Sequence, residues 1–544
     1  MKSLSDTLKE TFLSVDTTLR DILIVGAGPA GVSAALQLKG RDVLMLDVGF
    51  CPPAVPTEFT GELSQLRAEN NDLFSHLIGE HFQSLSNLKA GAKGNLKLKA
   101  PYMDYIVRGV EELTPIVSDN FHGQISLSRG GLANAWGAGV FRFTDQELAD
   151  FPFNYAELTP YYDTLTKHIG VSGENDDLQP WFLHDEGLQP PIKLGILAET
   201  ILSRYHRHRQ FFSQNRMYIG RSRLAVLTRE LGGRTPYRYG NLEFFKPEIS
   251  AIYTPAFSVE QLVANGHLDY RSGWLVESYI EKDNHVEVTA RNIETNTLKL
   301  FFARRVLLAA GALNTSRIVL RSHNDHITQL PILDNPLTAF PLFNLGMLGT
   351  GPDSCNSSLS QLNFIFEGSP EVGLVQASFY GVNGPLRADV LMRLPLPVSL
   401  ARDFFKHMSS CFGLAMCFYP GSWSPNNFVQ LKEDNTLMVS FAQAACGAVE
   451  RKIMRLMRRI GYFSHPLLIF PSMMGSGLHY AASLPMRRNP KSAYECTSEG
   501  KLSDSNSVYV VDGACFSTLP AKNLTFTIMA NSMRIANLVQ DGLA

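Results

Sequence analysis

Residues 21–38 read DILIVGAGPAGVSAALQL. The apolar run Ile22–Val25 has the makeup of a strand buried on both faces, and Val32–Leu38 that of a helix. Between them, Gly26, Gly28 and Gly31 stand in G-x-G-x-x-G spacing. That spacing meets three needs: a tight turn, room for backbone to approach a pyrophosphate, and close packing of helix on strand. The helix start then offers free N–H groups and the positive end of its dipole to phosphate. Alone the pattern is weak, because an ordinary β-turn-α unit would also carry it. A second strand, DVLMLD, follows at the expected distance and ends on Asp47. A carboxylate there suits the 2′-hydroxyl of an adenosine ribose and disfavours a 2′-phosphate. The pair predicts a dinucleotide site and leaves FAD and NAD both open.

The rest of the composition narrows the class. A chain of 544 residues is too long for one simple core, so two structural domains are expected. With 45% hydrophobic and 18% charged residues it reads as globular rather than disordered. A formal net charge of −2 gives no bulk basicity for nucleic acid. Seven scattered cysteines make no disulfide framework, and the closest pair, Cys411 and Cys417, has no second Cys/His pair to complete a zinc site. No metal is expected. The start, MKSLSDTLKETFLSV, predicts a short amphipathic helix without a signal-peptide core. The uncharged stretches around 335–352 and 408–431 are broken by Pro, Gly, Asn and Ser, so no membrane span is expected. A reduced, cytoplasmic setting is the expectation.

Three more stretches carry glycine turns: SRGGLANAWGAG (128–139), VLLAAGALNTSRIVLRS (306–322) and VDGACFSTLPAKNLTFTIMANSMRIANLV (511–539). Singly, each would serve as a structural connection. In this order behind GAGPAG they resemble the glucose–methanol–choline (GMC) flavoprotein oxidoreductases, over roughly 20–50, 125–140, 225–320 and 470–540. The resemblance implies an α/β fold, with a Rossmann-like FAD-binding domain and an antiparallel-sheet substrate-binding domain. The first would take 1–150, 225–330 and 460–544; the second, 151–224 and 331–459. It implies FAD as cofactor, with Gly26, Gly28, Gly31 and Asp47 at the ADP end. Gly130, Gly131, Asn134 and Trp136 would line pyrophosphate and flavin, Val276 the adenine, Asp512 the ribityl and pyrophosphate region, and Thr525 the pyrimidine edge. Ala135 falls where many members tether FAD through histidine, so noncovalent FAD is expected.

The resemblance also gives a role to GSGLHYAASLPM (475–486). A lone histidine is more often a packed core residue, but His479 matches the family's catalytic histidine and Asn523 its His-or-Asn partner. The family's Asn-Pro-Thr is Asn523-Leu524-Thr525 here, and leucine does not fix φ as proline does. A histidine suits removal of a hydroxyl proton, its ordinary pKa being ~6.5. A carboxamide donor to the same oxygen is typically worth roughly 3–4 kcal/mol in the transition state. The expected reaction is oxidation of CH–OH to carbonyl by hydride transfer to flavin N5, with dioxygen or a redox partner as acceptor. A sugar or other secondary alcohol is the first expectation for substrate and a hydrophobic natural-product intermediate the second. A lyase or decarboxylase keeping the flavin without net oxidation is the alternative. In the remainder, 151–224 suggests helices, and QLNFIFEG, VGLVQASFYG, ADVLMRLP and FVQLKEDNTLMVSF suggest strands roofing the flavin. Loop 84–105 reads as a surface loop or lid. Helix 447–462 and the RYHRHR run at 204–209 read as solvated basic faces, or as a membrane, partner or anion contact.

Overall fold

The computed structural model describes residues 13–53, 100–239, 250–350, 358–382, 410–442 and 447–543, with 98, 248, 355, 397, 399, 400 and 408. A seven-stranded sheet organises the first of two main cores. Its central strand, Leu13–Val25, pairs in parallel with Val43–Leu46 on one side and Leu298–Leu308 on the other. Ile22, Leu23 and Ile24 are fully buried, as a strand covered on both faces requires. Asp269–Arg271 and Val508–Val510 extend the parallel part, while Trp274–Glu281 and Val286–Asn292 join as an antiparallel meander. Helix Pro29–Gln37 packs against the C-terminal helix Thr525–Asp541, where Ser532 Oγ donates to the Ala30 carbonyl at 2.7 Å.

The first strand starts earlier than the sequence suggested. Leu13, Ser14 and Val15 pair with Leu298, Lys299 and Leu300, so the end of the expected amphipathic helix is strand. Sheet pairing overrides local helix preference there, and Arg271 holds Asp16 at 2.6 Å. Residues 1–12 lie outside the described residues, as do ADVLMRLP (388–395) and nearly all of 84–99.

A six-stranded antiparallel sheet organises the second core. Its order is Phe470–Pro471, Leu337–Phe343, Phe412–Phe418, Leu374–Gly381, Leu362–Glu367, Met217–Arg221. Period-two alternation sends Phe340, Leu342, Phe364, Phe379, Ala415 and Cys417 to its outer face, in one cluster with residues of helices Ile196–Arg207 and Ala448–Met457. The apolar side of the basic helix, Val449, Ile453, Met454 and Met457, is therefore covered by its own sheet. In the RYHRHR run, Arg204 donates to the Ile460 carbonyl at 2.8 Å and Arg209 pairs with Asp177 at 2.6 Å. Among the described residues no helix is long and apolar enough to cross a membrane.

The cores interleave along the chain. The hairpin Phe428–Leu431/Leu437–Ser440, expected in the roof, forms a separate four-stranded sheet with Ile116–Val117 and Leu330–Pro331. Its Val429, Leu431, Leu437 and Val439 belong to the first core. Helix Tyr155–Leu165 also packs there, with the Tyr162 hydroxyl 2.7 Å from Thr527 Oγ1.

Candidate active site

A cavity of about 570 Å³ runs from the glycine turn after Val25 to the inner face of the antiparallel sheet. The three glycines of the turn do three different jobs. Gly26 has φ +99°, and a Cβ there would stand 2.7 Å from the Ala309 carbonyl oxygen. A Cβ on Gly31 would stand 2.0 Å from the Gly26 oxygen, so helix and strand approach too closely for any side chain. A Cβ on Gly28 meets nothing within 4 Å, because it faces the open cavity that a phosphate would occupy. Gly28 is also the N-cap of helix Pro29–Gln37 and supplies no side-chain cap, which leaves first-turn N–H groups for a ligand.

Asp47 and Val276 line the same cavity. Asp47 is 9% exposed and accepts from the Tyr270 hydroxyl at 3.1 Å; burial pushes its carboxyl up to about 7. A ribose diol would add donors that favour its charged form. Asn314, in the first turn of helix Ala312–Ser322, also faces the cavity with a buried Oδ1 that has no partner.

The second glycine loop sits directly on the first. Gly130 and Gly131 have φ +102° and +62°, and a Cβ on Gly131 would meet Gly28 Cα at 3.3 Å. Gly131, Ala135 and Trp136 line the cavity; Gly130, Gly31 and Asn134 do not. The Asn134 amide is spent inside its own loop, donating to Ser128 Oγ at 2.9 Å and the Arg129 carbonyl at 3.0 Å while accepting from Thr254 Oγ1. Trp136 donates its indole N–H to the Tyr253 carbonyl at 2.9 Å, which fixes its ring as a wall of the cavity.

At the far end His479 and Asn523 line the cavity together with Thr525. His479 is 9% exposed, its ring stacked on Phe418 with centroids 4.9 Å apart and planes at 29°. Burial alone lowers its pKa to about 4, so the imidazole is neutral at neutral pH. His479 Nδ1 and Asn523 Oδ1 are both buried without a partner, a costly arrangement that a polar ligand would relieve. Thr525 opens the last helix and Leu524 is its N-cap at φ −84°, so the turn forms without the family's proline. That helix start has no side-chain cap either.

Asp512 accepts from Gly311 N at 2.8 Å, Ala514 N at 2.9 Å and Thr315 Oγ1 at 2.5 Å, and burial pushes its carboxyl up to about 6. It is the N-cap of the turn Gly513–Cys515 and holds Gly311 at the start of helix Ala312–Ser322, as well as facing the cavity.

Besides Asn314, three residues with a claim on the site were missed in the sequence. Lys522, next to Asn523, is completely buried; its Nζ donates to Glu147 Oε2 at 2.5 Å, the Arg142 carbonyl at 3.0 Å and the Trp181 carbonyl. Its place next to Asn523 was the one signal in the sequence, and it does not show the burial. Gly139 closes the motif SRGGLANAWGAG, and a Cβ on it would stand 2.8 Å from Asn523 Nδ2. Asp334 accepts from Gly475 N at 2.5 Å and its strand pairs with the one after His479, so it ties down the approach to the histidine.

No protein-family model matches the chain, and no curated protein matches it. Among solved structures, pyridoxine 4-oxidase from Mesorbium loti is similar over 96% of this chain and 99% of that one, with TM-score 0.59 and 13% sequence identity. At that identity the likeness is one of fold. The chain has the GMC oxidoreductase fold. Within that fold, the two glycine loops and the His479–Asn523 pair line a single cavity.

Proposed function

We propose that the chain is an FAD-dependent oxidoreductase that converts a CH–OH group to a carbonyl, with His479 as base and Asn523 as hydrogen-bonding partner. One observation carries the reading: a neutral buried histidine and a carboxamide, 479 and 523 in the chain, share a cavity with both glycine loops and each holds an unpartnered polar atom. The name of the structural neighbour, an oxidase of pyridoxine, fits the same reaction class.

The residues present fit FAD. Gly26, Gly28 and the start of helix Pro29–Gln37 would hold the pyrophosphate, Asp47 the ribose, and Val276 and Asn314 the adenosine side. Gly131, Ala135, Trp136 and the start of helix Thr525–Asp541 would hold the flavin. Ala135 offers no nucleophile at the tether position, so the cofactor is held noncovalently. Bound FAD supplies a two-electron hydride acceptor. His479, neutral, takes the hydroxyl proton at a ring nitrogen, and the Asn523 amide donates to the same oxygen as negative charge develops. The apolar wall around Phe418 excludes water, which strengthens both contacts. The electrons pass on to dioxygen or to a redox partner.

The test is to purify the chain with added FAD, precipitate it with acid, and reduce a second sample anaerobically with a panel of alcohols. Yellow supernatant and bleaching by at least one alcohol are expected, and hydrogen peroxide under air assigns dioxygen as acceptor. A chain that takes up no FAD, or a flavin that no alcohol bleaches, contradicts the reading; the second result points to the lyase chemistry.

A further inference from the structure

The substrate end of the cavity has a chemistry of its own. On strand Phe412–Phe418, Leu414, Met416 and Phe418 share one face and line the cavity, whereas Ala415 and Cys417 between them point into the second core. The pairing register sets Tyr380 opposite Leu414 and Leu337 opposite Phe418, and both also line the cavity. The result is a continuous apolar wall carrying one phenol, with the His479 ring lying on Phe418.

Charge is kept at the other end. The carboxylates and guanidinium groups among the described lining residues are Asp47, Glu277, Arg317, Arg321 and Asp512. All five come from the Rossmann strands, their ends, or helix Ala312–Ser322; the antiparallel sheet contributes none. The two arginines are already engaged, Arg321 with Glu277 at 3.0 Å and Arg317 with the Pro115 carbonyl at 2.9 Å and the Asn435 carbonyl. Polar lining residues not yet given a role include the hydroxyls of Tyr380, Ser358, Ser472 and Ser476 and, held to Tyr480, Gln124.

We propose that the substrate is an uncharged alcohol whose carbinol carries an apolar aromatic or aliphatic body, and that Met416 and Leu414 select it. The proposal rests on the oxidoreductase reading and replaces the sugar expected from the sequence. A polyol would set several hydroxyls against leucine, methionine and phenylalanine, each unpaired one costing about tenfold or more in affinity. A phosphorylated sugar would bring a dianion to a wall with no cation among its described lining residues. An apolar body gains from the same surface through burial.

The experiment uses the FAD-loaded enzyme without oxygen. Flavin reduction is followed with benzyl alcohol, cyclohexanol and 1-octanol against glucose, glycerol and glucose 6-phosphate. At least one apolar alcohol is expected to exceed every polyol by about 100-fold or more in reduction rate over Kd. A second readout needs no turnover: benzyl methyl ether, which has no hydroxyl to oxidise, should perturb the flavin absorption spectrum saturably. Met416→Gln should weaken that perturbation about tenfold. Sugars that reduce the flavin as well as the apolar alcohols overturn the proposal and leave the oxidoreductase reading intact. An ether that binds to a flavin no alcohol reduces supports the apolar wall and sinks the oxidation. No perturbation by the ether overturns the wall assignment.

Discussion

On the proposed reading, the two ends of the cavity recognise their ligands by different means. At the nucleotide end the work falls to backbone: glycines at φ +99°, +102° and +62°, an open position at Gly28, and a helix start without a side-chain cap. At the reacting end it falls to side chains, His479, Asn523, Phe418 and Met416, delivered by three separate segments. A site made of backbone must be made by one residue type, because only glycine tolerates both the conformation and the close approach. A site made of side chains is set by tertiary packing and can change with the substrate. The nucleotide end should therefore fail as a whole when one atom is added, and the reacting end should fail in rate alone.

The largest effect is expected from Gly31→Ala. Its new Cβ would stand 2.0 Å from a backbone oxygen that cannot step aside, so the variant should lose FAD entirely and unfold at a lower temperature. Flavin content and a thermal melt measure it; a variant that loads FAD like the parent breaks the backbone account.

Lys522→Met comes next. Removing a fully buried ammonium leaves Glu147 without its cation, a change that typically costs about 3–5 kcal/mol. On the folded fraction at low temperature, the flavin reduction rate should fall with the alcohol's Kd unchanged. Lys522 is the chain neighbour of Asn523 and is expected to anchor it, so a loss confined to stability would assign it a structural role only.

Gly139→Ala is milder. Its Cβ displaces the Asn523 amide, and a shift of that size should slow reduction about 10- to 100-fold with normal FAD content. Stopped-flow reduction separates it from Gly31→Ala.

Asp47→Asn should be the smallest. Burial raises the Asp47 carboxyl to about 7, and it accepts ribose hydroxyls better as a carboxylate. FAD affinity should therefore fall as pH drops below 7 in the parent, and the variant should bind about tenfold more weakly with no such pH dependence. His479 has the opposite sense: its pKa of about 4 keeps it a base from pH 8 down to about 5, so the reduction rate at saturating FAD should stay flat over that range.

The same contrast explains what could be read from the sequence. Gly26, Gly28, Gly31 and Asp47 were legible because strand, turn and acid are neighbours in the chain. His479 and Asn523 were legible only through the family resemblance, since no local pattern separates a reactive histidine from a packed one. Lys522 was not, because its partners at 142, 147 and 181 are chosen by the fold. Asn134 lies in the right loop, yet its amide is consumed by Ser128 and Thr254, a detail of rotamer that spacing does not carry. The hairpin 428–440 showed its strands correctly but not which core it joins, because alternation marks a buried face without naming its partner.

One stopped-flow comparison weighs most. His479→Ala and Asn523→Ala, each loaded with FAD, are mixed anaerobically with an alcohol that reduces the parent. Rates at least about 100-fold lower in both, at unchanged flavin content, are what a proton acceptor and an oxyanion donor acting on one hydroxyl require. Bleaching of either variant at the parent's rate would mean that the imidazole and the carboxamide meet in this cavity for packing alone.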